Sequence, residues 1–208
     1  MAVVLRAALE TYLAFFFVYI ERQEDEEECQ FRHDLWVWAG LRSRQAVDAQ
    51  LEESRVTLRR EERDIAVLRE RIEASSRFAT WMPRPGATDT MRWKALRADW
   101  KLGRSWVSLA KVARFGGFTN LYRHLCGYSH SGYASIMQLR SASGGGIDRD
   151  QSFETFLGVG LRIMGHVIRD YTALFPETRR VLEAHPQQRD LAELYLSVSE
   201  TWFREKGV

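Results

Sequence analysis

Three observations predict an all-α fold. Only four prolines interrupt 208 residues, and proline is the residue that most strongly breaks a helix. Good helix formers, Ala, Leu, Glu and Arg, dominate long windows. Strand-like alternation bounded by turn residues is nearly absent. Apolar and aromatic residues make 45% of the chain and seven are tryptophan, a composition that can build a core rather than stay disordered. The expected architecture is a helical bundle with a long helical hairpin arm. Residues 1–208 form one domain, and 41–80 are the candidate arm.

The opening run, Met1 to Ile20, is apolar enough to resemble a membrane span or a leader. Arg6 and Glu10 interrupt it one turn apart, no small-residue cleavage site follows, and an acidic run comes next. A buried core helix from about Val3 to Arg22 is therefore expected, with no membrane partner. The helix begins abruptly at the first residue, a hint that any natural N-terminal extension lies outside this sequence; whether there is one stays open. A second helix begins near Glu26 and reaches as far as Phe78, with a break around Gly40. Within it Leu51, Leu58, Ile65 and Ile72 recur every seven residues, an apolar seam of coiled-coil type. Ser54 and Glu61 interrupt the alternate seam that Leu68 completes, which favours one arm of a hairpin over a free coiled coil.

Trp81-Met-Pro-Arg-Pro-Gly86 ends that stretch. A third helix follows from about Asp89 to Ala98, and 101–115 continues it or starts another. Gly116-Gly117 predicts a left-handed C-cap, and Thr119 or Asn120 predicts the N-cap of a helix reaching about Arg140. Ser141 to Gly146 reads as a connector. A long helix runs from about Asp150 to Leu174, stops at Phe175-Pro176, and is followed by one or two shorter ones.

Charge is distributed unevenly although thirty basic residues nearly cancel twenty-eight acidic ones. Glu21 to Glu28 holds six acids. Met91 to Arg123 holds eight basic residues against Asp99 alone, a stripe that suits a polyanion or, equally, a solvated helix face. Cys29 and Cys126 read as reduced thiols of a cytoplasmic protein. No metal-ligand spacing, phosphate-loop lysine or nucleophilic triad is present, so neither a metal nor a cofactor is expected.

The chemistry concentrates in Asn120-Leu-Tyr-Arg-His-Leu-Cys-Gly-Tyr-Ser-His130. Arg123 and His130 are seven residues apart, nearly two helical turns, so they emerge from one face. A guanidinium can hold phosphate oxygens, and an imidazole can move a proton. His124, next to Arg123 but about 100° round the helix, and Tyr128 are supporting candidates. Arg6, Glu10, Arg32 and His33 form a second polar set on apolar helices, where Arg6 and Glu10 should pair with each other or with the motif helix. Other readings stay open: Arg123 could salt-bridge Glu10 or an acid of the long helix, and His130 could be a core histidine beside Tyr128. His166 and His185 show no pattern.

An arginine, a polar residue and then a histidine on a helix of an all-α chain resembles the signature of the HEPN superfamily (higher eukaryotes and prokaryotes nucleotide-binding). Arg123, His124 and His130 match it, with six residues between Arg123 and His130. The Leu5 to Glu10 and Phe118 to Gly132 runs also resemble a bacterial family related to it. The resemblance implies a helical bundle that dimerises so that two motifs share a cleft, and in many members metal-independent endoribonuclease activity of toxin or antiviral-defence type. It implies RNA as substrate, Arg123 and His130 as catalytic residues, and a cognate antitoxin or defence-system protein as partner. The alternative is a catalytically silent dimeric module binding nucleic acid, nucleotide or a protein. Tyr122, Tyr128, Tyr133 and Ile136 are candidate interface residues. Superfamily toxins regulated by nucleotidylation carry a tyrosine two residues after the histidine. Gly132 stands there in this chain, which argues against that control.

Overall fold

The computed structural model describes residues 2–46, 52–81, 88–115, 118–129 and 147–205. They are all-α: ten helices and one π-helical turn, with no strand among the described residues. They gather into two compact units, one built from residues 1–16 and 106–208, the other from 17–105.

The first unit is organised by α1 (Ala2–Phe15). Around it pack α6 (Trp106–Val112), α7 (Phe118–Ser129) and α8 (Ile147–Leu174), while α9 (Pro176–Ala184) and α10 (Pro186–Glu205) pack on α8. Leu9, Tyr12 and Leu13 of α1 are buried with Leu109, Ala110, Leu121, Leu125, Val159 and Ile163. The 19-residue run Ala2–Ile20 is long and apolar enough to cross a membrane by length and composition. Its buried side chains here meet other helices of the protein. Pro176 and Pro186 each start a helix, as proline does where the missing N–H has no intrahelical acceptor.

The α6 terminus corrects one expectation. The left-handed residue is Arg114, φ 56°, rather than a glycine of Gly116-Gly117, which lie outside the described residues. Phe115 N–H donates to the Ala110 carbonyl at 2.8 Å and Arg114 N–H to Lys111 at 3.1 Å. This pair of bonds is the Schellman closure. Burial of Phe115 beyond the turn (2% exposed) offsets the strain of a non-glycine there. Next, α7 begins at Phe118, so Thr119 and Asn120 sit inside its first turn instead of capping it. The expected continuation to Arg140 and the 141–146 connector fall outside the described residues.

The second unit starts in the π-helical turn Phe16–Ile20, which extends α1. It contains α2 (Glu26–Arg44), α3 (Glu52–Ala74), α4 (Ser76–Thr80) and α5 (Asp89–Ala98). Helix α2 passes through Gly40 unbroken. The break falls after Arg44, and a second one separates α3 from α4 at Ser75, so the expected second helix is α2, α3 and the start of α4. Helices α2 and α3 pack as a pair. They form an antiparallel hairpin whose register is marked by Arg44–Glu61 at 2.9 Å and Asp34–Arg71 at 3.0 Å. The heptad seam is its inner face: Ile65, Leu68 and Ile72 are buried against Phe31, Leu35 and Trp38, and Trp93 and Leu96 of α5 close that core.

The acidic run works as a set of caps and pairs. Asp25 is the N-cap of α2, accepting from Glu28 N–H at 3.0 Å, and it also pairs with Arg77 at 2.6 Å. Glu27 accepts from the Ser76 N–H and hydroxyl and from the Ser75 hydroxyl at the start of α4. These bonds hold its carboxyl below the usual range.

Arg32 is the most constrained charge of this unit. It is 5% exposed, and its guanidinium donates to the Phe17 carbonyl at 2.7 Å, Glu21 at 2.6 Å and Glu28 at 2.7 Å. It also lies over the Phe17 ring. The π-turn breaks the ordinary ladder of helical hydrogen bonds, and Arg32 supplies the donor that the Phe17 carbonyl accepts. Replacing Arg32 by methionine keeps the bulk but takes the side-chain donor from that buried carbonyl and leaves Glu21 to Arg104 alone. Urea unfolding should show a loss of about 3–5 kcal/mol, the usual cost of breaking a buried pair from one side. A loss below about 1 kcal/mol, the scale of a surface ion pair, would contradict this role.

Candidate functional site

Helix α7 turns Leu121 and Leu125 into the core, with Tyr122 and Cys126 half-buried. Arg123 is exposed. Among the described residues it has no ion pair, and Glu10, one of the acids the sequence offers it, pairs with Arg6 instead. His124 and Tyr128 lie in the described backbone of α7, although their side chains fall outside the description. His130 lies outside the described residues altogether, so the shared helical face with Arg123 remains an expectation.

Arg6 and Glu10 do pair, Nε to Oε1 at 3.0 Å. The motif helix joins them, because the Tyr122 hydroxyl donates to the same Glu10 oxygen at 2.7 Å. The Arg6 guanidinium lies 5.6 Å from the centre of the Tyr122 ring. The bond to Glu10 raises the Arg6 pKa, while burial and the bond to Glu10 push the Tyr122 hydroxyl well up. Both groups therefore keep their protons at neutral pH. Tyr122, a candidate interface residue in the sequence, joins α7 to α1 within the chain.

Arg32 and His33 belong to a different group from Arg6 and Glu10. Arg32 joins the acidic run, and His33 Nδ1 is 3.3 Å from Asp34. Cys29 and Cys126 are free thiols. Among the described residues, no three His, Cys, Asp or Glu side chains converge as a metal site.

A second polar group went unseen in the sequence. Arg162, His166 and Asp170 recur every four residues on the buried face of α8, at 7%, 6% and 6% exposure. The Tyr12 hydroxyl donates to Asp170 at 2.8 Å and lies 3.4 Å from His166 Nδ1. Arg169 donates to the other Asp170 oxygen at 2.7 Å. His166 stacks on Phe115 with ring centres 4.7 Å apart, and Arg162 lies over the same ring. One hydroxyl proton cannot serve both acceptors, so the network assigns the His166 proton to Nδ1, facing the Tyr12 oxygen. Burial and the positive charges of Arg169 and Arg162 lower the His166 pKa to about 4. Enclosed and neutral, this group is an internal brace. Its signal was available in the sequence as three polar residues at helical spacing on an otherwise apolar face.

The basic stripe divides by function once its partners are known. Arg104 pairs with Glu21 at 2.8 Å, Arg92 pairs with Asp89 and lies over Phe78, and Lys101 lies over Trp100. Lys94 and Arg97 instead line a cleft of the second unit. No family model, curated protein or solved structure matches this chain.

The brace makes a pH prediction. As pH falls below 6.5, the unfolded chain takes up the His166 proton first, while the folded chain resists until about pH 4. Folding stability from this residue is thus intact above pH 6.5 and lost progressively down to pH 4, by about 3 kcal/mol in total. Urea unfolding of the wild type and His166→Gln across that window should diverge in slope by up to about one proton. Parallel curves would mean that His166 is not held neutral.

Proposed function

We propose that this chain is a HEPN-like cytoplasmic protein that engages RNA through α7 and cleaves it without a metal. The observation that carries this reading is Arg123. It is exposed on α7 with no acid paired to it among the described residues, while Glu10 holds its neighbour Tyr122. An exposed guanidinium on a braced helix can grip two oxygens of a phosphodiester and stabilise charge that builds on them. His130, one face and two turns further if the helix continues, would take the proton from a ribose 2′-hydroxyl or return one to the leaving 5′-oxygen. RNA is the substrate because this attack needs that 2′-hydroxyl. A single motif histidine does one of the two proton transfers, so the mechanism calls for a homodimer in which a second motif does the other. A cognate antitoxin or defence-system protein is the partner that such a nuclease would need.

The second reading, a silent dimeric module that binds nucleic acid, nucleotide or a protein, draws on His166 in the first unit's core. His166 is enclosed and neutral, and so cannot replace His130 as an acid or base at Arg123.

Purified protein incubated with labelled RNA in chelator separates the two. The nuclease should leave 2′,3′-cyclic phosphate ends, and Arg123→Ala and His130→Ala should each lower the rate by about 100-fold or more. Equal activity in all three preparations, or RNA binding with no cleavage, would overturn the enzymatic reading. Light scattering should give twice the 24.2 kDa chain mass. A clean monomer at micromolar concentration would remove the shared-site mechanism.

A further inference from the structure

The second unit holds a cleft of about 390 Å³ walled by α2, α3 and α5, at the small end of the range of ligand pockets. Each of the three helices contributes to it in the same way. A large apolar residue lies in the core, and an arginine follows one turn later: Trp38 with Arg42, Ile65 with Arg69, Trp93 with Arg97. Spacing of four residues puts both members of each pair on one face. The apolar members are buried and the arginines exposed, so three helices converge on one apolar floor and bring three guanidiniums to its rim. Lys94 adds a fourth cation. The only acid in the lining is Asp89, and it pairs with Arg92.

Two further facts point to a ligand. Trp38 and Trp93, at 4% and 7% exposure, both line the cleft, and the buried indole N–H of each has no acceptor. A buried donor without an acceptor costs on the order of 1–3 kcal/mol, so the cleft floor carries an unmet demand for negative charge beside its cationic rim. Arg42, Lys94 and Arg97 likewise have no ion pair among the described residues, whereas Arg69 is held between Glu73 at 3.0 Å and the Trp93 ring.

The aromatic rings decide the kind of anion. Trp93 already packs against Trp38, Phe78 and the Arg69 guanidinium, with centres 4.6, 5.3 and 4.9 Å away. Those neighbours occupy the ring that a nucleobase would need for stacking, and what the cleft offers is guanidinium forks and the Lys94 ammonium. Such forks match phosphate oxygens bidentately.

We propose that this cleft binds a small, multiply charged phosphate anion, independently of any chemistry at Arg123. Inorganic pyrophosphate is the probe. Titrated into the full chain, it should bind one to one, change tryptophan fluorescence and raise Tm beyond the effect of sodium chloride at equal ionic strength. Arg42→Gln and Arg97→Gln should each weaken binding about tenfold, the loss of one charge-assisted hydrogen bond. Lys111→Gln on α6, outside the cleft, should change nothing. No effect beyond sodium chloride, or wild-type affinity in both arginine variants, overturns the site. So does an RNA oligonucleotide that needs Arg42 and Arg97 where pyrophosphate fails to bind, because the ligand would then be a polymer.

Discussion

A charge or hydroxyl that enters a protein interior must meet a partner there, and α1 with its π-turn meets this demand three times. Glu10 accepts from Arg6 and Tyr122, Tyr12 donates to Asp170, and the Phe17 carbonyl accepts from Arg32. An apolar helix can rotate or slide against its neighbours at little cost, because one buried methyl replaces another. A helix pinned by directional bonds cannot, since each bond has a preferred distance and angle. The register of α7 and α8 on α1 is thereby set by polar atoms, and apolar packing fills the space between them. The consequence for function is local. Glu10 is occupied by Arg6 and Tyr122, so Arg123, one residue further, is left to solvent.

Much of this was legible in the sequence because the signals were periodic or exclusionary. Few prolines and abundant helix formers predicted the all-α class. The seven-residue recurrence of Ile65 and Ile72 predicted a hairpin arm, and these residues pack on α2. The i to i+4 spacing of Arg6 and Glu10 predicted their pair. Gly40 misled, since glycine in a helix weakens it by about 1 kcal/mol without ending it when tertiary packing holds both sides. Gly116-Gly117 misled in the opposite way. The tertiary burial of Phe115 let an arginine take the left-handed position that sequence assigns to glycine.

The candidate sites were legible only where one helix carries them. Arg123 and His124 announce themselves within a single segment. The Tyr12, His166 and Asp170 group joins residues 154 and 158 positions apart, and no local pattern predicts such a contact. The cleft of the second unit was half visible. Lys94 and Arg97 stood out as charge, but Trp38 and Arg42 come from another helix, and the missing acceptors of two indoles have no sequence signature. The acidic run, conspicuous in composition, proved to be the capping and pairing set of α2 and α4.

Glu10 holds α7 on α1 through Tyr122. A double-mutant cycle with Glu10→Gln and Tyr122→Phe, followed by urea unfolding, tests it directly. A coupling energy of about 1–2 kcal/mol is expected, because a phenol donating to a half-buried carboxylate is a charge-assisted bond. Single losses that simply add in the double variant would contradict it, and would mean that α7 keeps its place by apolar packing alone.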